Sequence, residues 1–194
     1  MLVNSKELFK KAQEGHYAIP SANVLDMESI KYHVGVAQEL GLPLIVGVAE
    51  AHLGDNLTLE DAALVGKKYA DAASVPVVLH LDHGMSVETC KKAIDLGFTS
   101  VMIDASMKSF EENVAITKEV VEYAKAKDVS VEAEIGHVAS NFDENDTDAL
   151  YTTAEEAKKF CEESGCDSLA ISIGTAHGVY KAKAIPEISF DRLA

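Results

Sequence analysis

The chain has 194 residues, of which 47% are hydrophobic, and it carries 17 Lys or Arg against 32 Asp or Glu. This length suits one domain with one core. The formal charge of −15 argues against a nucleic-acid surface. No apolar run reaches the roughly 18 residues of a membrane helix, and the charged amino-terminal pattern lacks a secretory core. We therefore expect a soluble, cytoplasmic protein with no nucleic-acid or membrane partner.

Strand-like and helix-like segments alternate along the chain. Runs rich in apolar and β-branched residues predict strands over 17–24, 43–50, 75–83, 100–106, 129–136 and 168–174. Helical periodicity fills the intervals, with Ser5 as the expected cap of the first helix and Thr153 with Glu156 as a capping box for the last. No hairpin signal separates consecutive strands, so the pattern is typical of parallel β/α units.

Two architectures fit such units, an open doubly wound sheet and an eight-stranded barrel. No strand is followed by a GxGxxG or GxxxxGK[ST] turn, which disfavours the nucleotide-binding form of the open sheet. Polar side chains stand at or just beyond the carboxyl ends of the predicted strands, namely Asn23, Glu50, Asp82 with His83, Asp104, Glu134 and His177. In a parallel barrel these ends form one rim, where active sites are built.

The third predicted strand ends in three ionisable residues, His80, Asp82 and His83. Alternation puts His80 and Asp82 on one face and leaves His83 at the exit, where Gly84 begins a turn. A carboxylate beside an imidazole suits a proton-transfer base next to a metal, or a hydrogen-bonded pair that only stabilises the strand end. As nitrogen ligands, His83 and His177 favour zinc, with His80 in a supporting or packing role.

Four segments carry a family resemblance: LHLDHG, SVMIDAS, SVEAEIG and DSLAISIGTAHGVY. In this order and spacing they resemble the class II, metal-dependent ketose-bisphosphate aldolases, which include the fructose-bisphosphate and tagatose-bisphosphate aldolases. The likeness implies an α/β fold of the (β/α)₈ TIM-barrel type. It also implies a carbon–carbon lyase of carbohydrate metabolism, such as glycolysis, that acts on a small sugar phosphate as a homodimer or homotetramer.

The resemblance implies roles for single residues as well. Zinc would polarise the carbonyl of dihydroxyacetone phosphate, and Asp82 would be the acid/base that serves the hydroxyl of the aldehyde half. The carboxylates match a second or alternative metal position, which could hold another divalent or a monovalent cation. The implied metal ligands are His83, His177, Asp104 and Glu134. The implied substrate-binding residues are Gly178, Asn23 and Lys181.

The sequence departs from the family pattern in three places. It ends before two strands that a closed barrel needs, so we expect a single barrel domain over 1–194, truncated before strands seven and eight, with the third zinc histidine beyond it. The acidic loop 137–151 offers Asp143 or Glu144 where the family has a proton-transferring acid. Ala49 stands where a serine contacts a phosphate. These changes keep open an alternative, a non-catalytic aldolase-like subunit or regulator.

Overall fold

The computed structural model describes residues 1–136, 151–175 and 188–193. Its helices are α1 (Lys6–Gly15), α2 (Met27–Leu40), α3 (Leu59–Ala72), α4 (Val87–Leu96), α5 (Phe110–Lys125), α6 (Ala154–Ser164) and α7 (Phe190–Leu193). Its strands are β1 (Ser21–Asn23), β2 (Leu44–Ala49), β3 (Val77–Gly84), β4 (Ser100–Ile103), β5 (Ser130–Ile135) and β6 (Ser168–Ile171), and a 3₁₀ turn covers Glu50–His52. None of the helices in these ranges is long and apolar enough to cross a membrane.

The six strands of the described residues form one parallel sheet in chain order, from β1 to β6. With the helices between them they make a partial barrel of the TIM-barrel type, which confirms the predicted α/β class and the parallel β/α units. All six strands are shorter than predicted. The third begins two residues later than predicted, at Val77, and ends one residue later, at Gly84.

Side-chain caps define where most of the helices begin. Capping boxes, in which the cap and the third helical residue bond each other's backbone, open α2, α3, α5 and α6. Each cap of this kind contributes about 1 kcal/mol. The predicted box of Thr153 and Glu156 is confirmed. Ser5 occupies the predicted N-cap position of α1, but its side chain makes no capping bond. Its hydroxyl is instead buried against that of Ser130, 2.8 Å away on β5.

The core follows from the alternation of side chains along each strand. On β3, Leu79 and Leu81 are fully buried in the main apolar cluster between the sheet and its helices. Helix α3 approaches so closely here that a Cβ at Gly66 would lie 2.7 Å from Leu79 Cδ1. His80 and Asp82 point the other way and line a cavity inside the partial barrel. The apolar face thus anchors the strand while the polar face is presented to the cavity.

Candidate metal centre and active site

The cavity inside the partial barrel has a volume of about 920 Å³ and reaches the carboxyl ends of the strands. The structure brings five of the predicted site residues together on its wall: Asn23, Asp82, His83, Asp104 and Glu134. They come from β1, β3 and β5 and from the residue that follows β4, so these five share one surface, whereas Glu50, also predicted at this rim, does not line the cavity. The other predicted site residues, His177, Gly178 and Lys181, lie outside the described residues, as do Asp143 and Glu144.

Three of these side chains form a cluster with the spacing of a metal site. His83, Asp104 and Glu134 each offer one ligand atom, and these atoms all lie within 4.8 Å of one another. Glu134 is only 2% exposed, and its backbone is held by Asn113, whose amide Nδ2 donates to the Glu134 carbonyl at 2.8 Å. One imidazole nitrogen with two carboxylate oxygens suits a borderline divalent cation such as Zn²⁺. The residues present therefore fit the metal that the family resemblance implies.

A β-bulge explains why two consecutive residues, Asp82 and His83, both reach the cavity. From Leu81 to Gly84 the third strand advances three residues while β4 advances only two, from Val101 to Ile103. His83 takes up the extra residue with a φ of 48°, in the left-handed region that disfavours side chains. Bulges of this kind occur beside active sites because they re-aim a side chain. Simple alternation would have pointed His83 away from Asp82.

Hydrogen bonding controls the charges of the His83 and Asp104 pair. The Nδ1–H of His83 donates to Asp104 Oδ2 at 2.8 Å, and this bond raises the pKa of His83 to about 9. Burial opposes ionisation of Asp104, but hydrogen bonds from His83 and from the Ser106 hydroxyl, 2.7 Å away, hold its pKa below the ordinary value. Without a metal the pair is therefore an imidazolium beside a carboxylate at neutral pH. A metal must displace one proton to bind His83.

His80 lies deeper in the cavity and is not part of the metal cluster. Its Nδ1 shares a hydrogen bond of 2.8 Å with the Ser100 hydroxyl, and burial lowers its pKa to about 4. Its Nε2 is 3.6 Å from Glu132, whose own pKa is raised to about 7 by burial and by the charge of Asp82. Because His80 is neutral at pH 7, the two do not form an ion pair. The supporting or packing role of His80 stays a prediction.

Asn23 reaches Asp82 across an intervening strand. Its Nδ2 donates to Asp82 Oδ2 at 3.0 Å, although β2 lies between β1 and β3. Gly47, the β2 partner of Asn23, makes this possible, because a Cβ there would lie 3.1 Å from Asn23 Oδ1. The substrate contact of Asn23 stays a prediction, and the structure shows that its amide is bonded to the predicted acid/base.

Several residues that line the cavity were not predicted as part of the site, among them His52 and Met85. Both lie just past a strand end, His52 in the 3₁₀ turn after β2 and Met85 directly after β3. Neither the residue type nor the hydrophobic periodicity predicts which side chains of a loop face the cavity. The one available signal was their position, within three residues of a predicted rim residue.

Parallel barrels with imidazole and carboxylate groups on the carboxyl-end rim are typical of enzymes. The chain matches the model of the family described as fructose-bisphosphate aldolase class-II over residues 3–194. It belongs to this family, whose members are aldolases, that is, carbon–carbon lyases.

Individual relatives agree with the family match. The fructose-bisphosphate aldolase of Staphylococcus aureus is 41% identical over 196 residues, which cover 99% of this chain and 68% of the relative. The 6-phospho-5-dehydro-2-deoxy-D-gluconate aldolase of Halalkalibacterium halodurans is 39% identical, with 99% and 67% covered. Among solved structures, the YdjI aldolase from Escherichia coli K12 superimposes on the whole chain and on 67% of its own length, with a TM-score of 0.87 and 35% identity. The chain thus spans about two thirds of each of these relatives.

Proposed function

We propose that the protein is a metal-dependent aldolase that cleaves a ketose mono- or bisphosphate into dihydroxyacetone phosphate and an aldehyde. The observation that carries the proposal is the cluster of His83, Asp104 and Glu134 within 4.8 Å, beside Asp82 on the rim of a barrel of this family. The imidazole and the two carboxylates of the cluster supply a metal site, and the adjacent carboxylate of Asp82 supplies an acid/base. A metal-assisted aldol cleavage requires both.

His83 and His177 are the proposed ligands of Zn²⁺, and Asp104 and Glu134 are the proposed ligands of a second or alternative metal position. When bound, the metal supplies Lewis-acid polarisation of the substrate carbonyl. Asp104 accepts the Nδ1–H bond of His83 and so fixes the ring orientation, as carboxylates do for many metal-binding histidines. Glu134, held in place by Asn113 through its backbone, brings negative charge to the same point.

Asp82 is the proposed acid/base. Asn23 donates to its Oδ2, which leaves Oδ1 to accept the proton of the substrate hydroxyl. As that proton moves to Asp82, the hydroxyl oxygen becomes the carbonyl of the departing aldehyde, and the electron pair of the broken carbon–carbon bond passes to the dihydroxyacetone half. The carbon that receives the pair then takes up a proton to give dihydroxyacetone phosphate, with Asp143 or Glu144 as the proposed donor. In the reverse direction Asp82 returns the proton. Proton transfer of this kind contributes about 10²- to 10⁴-fold to rate.

Phosphate recognition is proposed for Gly178, through its backbone, and for Lys181, through its ammonium group. The names of the relatives indicate that phosphorylated sugars and sugar acids are the substrate class, since one acts on fructose bisphosphate and another on a 6-phosphogluconate derivative. Ala49 is buried at the cavity wall and its methyl offers no hydrogen bond, so the aldehyde half need not carry a phosphate.

We also propose a single barrel domain, a homo-oligomer and a cytoplasmic location.

Replacing Asp82 by asparagine in the full-length protein tests the role of this carboxylate. We expect kcat for ketose-phosphate cleavage to fall by about 10²-fold or more, with bound metal unchanged. Asp95→Asn is the matched control, because Asp95 is an exposed carboxylate on α4 that bonds Tyr123 and lies away from the cavity.

A loss below tenfold in the Asp82 variant would remove this residue from the mechanism. A folded, metal-loaded wild-type protein that cleaves no ketose phosphate would instead favour the non-catalytic alternative.

A further inference from the structure

Glu50, the first residue after β2, places its carboxylate on the segment that follows His83. Its Oε2 accepts the backbone N–H of Met85 at 2.6 Å, and its Oε1 accepts the hydroxyl of Thr89 at 3.1 Å. Thr89 lies in the first turn of α4, where the helix dipole favours a negative charge. A side chain from one strand end therefore holds the loop that leaves the next.

This contact extends the hydrogen bonding between β2 and β3 beyond the last residue of β2. Regular pairing between β2 and β3 ends at Ala49 and Asp82, so the N–H of Met85 lies beyond the last strand partner on that side. On the other side, the N–H of Asp104 donates to the Gly84 carbonyl at 2.9 Å. Glu50 supplies, from the β2 side, the acceptor that the backbone of β2 no longer provides.

The bulge needs support from both sides because His83 is held in an unfavourable conformation. A φ of 48° in a residue with a side chain persists only when its surroundings determine it. Gly84 is pressed against its neighbours, since a Cβ there would lie 2.6 Å from the Met102 carbonyl. If the Met85 side were released, His83 would be free to relax toward the extended region, and its imidazole would turn away from Glu134.

We propose that Glu50 is a positioning residue for the metal centre: its carboxylate holds the Met85 amide and the start of α4, and thereby keeps His83 in the orientation that faces Asp104 and Glu134. The proposal rests on the proposed metal site. Glu50 itself neither belongs to the metal cluster nor lines the cavity, and it acts through His83. The simpler alternative is that Glu50 only caps α4 and contributes to stability.

Metal affinity separates the two roles. We would titrate the metal-free, full-length protein with Co²⁺ and follow the visible absorption of the bound ion. Glu50→Ala is expected to weaken Co²⁺ binding by about 10- to 100-fold, as loss of a residue that orients a ligand does. Glu50→Gln keeps an acceptor for the Met85 amide and is expected to stay within threefold of wild type. Glu60→Ala is the control, because Glu60 is also a carboxylate bound to α4, through Lys92 at 2.7 Å, but it makes no bond to the Met85 amide.

A second measurement does not depend on the metal. Hydrogen exchange of the Met85 amide in the metal-free protein is expected to be at least tenfold faster in Glu50→Ala than in wild type. If that variant does not fold, Glu50→Asp replaces it, since the shorter side chain keeps the charge but withdraws the carboxylate from Met85.

If Glu50→Ala exchanges its Met85 amide hydrogen faster but binds Co²⁺ with wild-type affinity, Glu50 is only a cap of α4 and the proposal is wrong. The proposal is also wrong if the exchange rate of the Met85 amide does not change. If wild type itself binds no Co²⁺, the proposed function fails, and Met85 exchange alone then decides whether Glu50 holds the bulge.

Discussion

Replacing Gly84 by alanine tests how tightly the bulge at the metal centre is packed. The added Cβ would lie 2.6 Å from the carbonyl oxygen of Met102, 2.8 Å from Cys90 Sγ and 3.0 Å from Leu81 Cδ2. The carbonyl belongs to the backbone of β4 and cannot retreat without disturbing the sheet. Overpacking of this kind costs about 1–3 kcal/mol, and loss of glycine entropy in the unfolded chain returns a fraction of that. We expect a net loss of about 2 kcal/mol in the free energy of unfolding.

Gly35→Ala is the matched control for this substitution. Gly35 lies inside α2, and a Cβ there meets nothing within 4 Å. Alanine is the better helix former, so this variant is expected to gain about 0.5–1 kcal/mol. Urea denaturation followed by circular dichroism measures both changes. A Gly84→Ala protein within about 0.5 kcal/mol of wild type would refute the packing deduced for the bulge.

Three further predictions concern the charge pair and the core. In the metal-free protein, the stabilisation from His83 is fully present below its unfolded pKa of 6.5 and is lost as the pH rises through its folded pKa of about 9. The difference in the free energy of unfolding between wild type and Asp104→Asn should therefore shrink by at most about 3 kcal/mol as the pH rises from 6.5 to about 9. A difference that does not change with pH would contradict the pairing of His83 with Asp104. Metal binding at pH 7 should release about one proton from His83, which calorimetry in two buffers of different ionisation enthalpy would detect as a buffer-dependent heat. Phe160→Ala should cost about 3–5 kcal/mol in urea denaturation, because Phe160 is fully buried with its ring 5.7 Å from that of Phe110; a loss below about 1 kcal/mol would place it outside the core.

The order of strands and helices could be predicted from sequence because burial dictates periodicity. On β3, the apolar residues Leu79 and Leu81 face the helices and lie in the core. The polar residues His80 and Asp82 alternate with them and face the cavity. The rim was predictable for the same reason: parallel strands all end on one side. Strand ends were placed less well, since hydrogen bonding and not hydrophobicity decides where a ladder stops.

The geometry of the site could not be predicted in this way. The bulge that turns His83 into the cavity is a one-residue mismatch with β4, and it depends on a neighbour 20 or so residues away in the chain. Asn23 reaches Asp82 only because Gly47 leaves room between them. Glu50 looked like one more rim carboxylate until its acceptor role toward Met85 was visible. Contacts of this kind link residues that no local pattern connects.

The most direct test of the proposed metal-dependent aldolase is cleavage of fructose 1,6-bisphosphate by the full-length protein, coupled to detection of dihydroxyacetone phosphate, before chelation, after chelation and after restoration of Zn²⁺. A metal centre built on His83, Asp104 and Glu134 predicts cleavage that disappears with the chelator and returns with Zn²⁺. Cleavage that continues undiminished after the metal has been removed would contradict it.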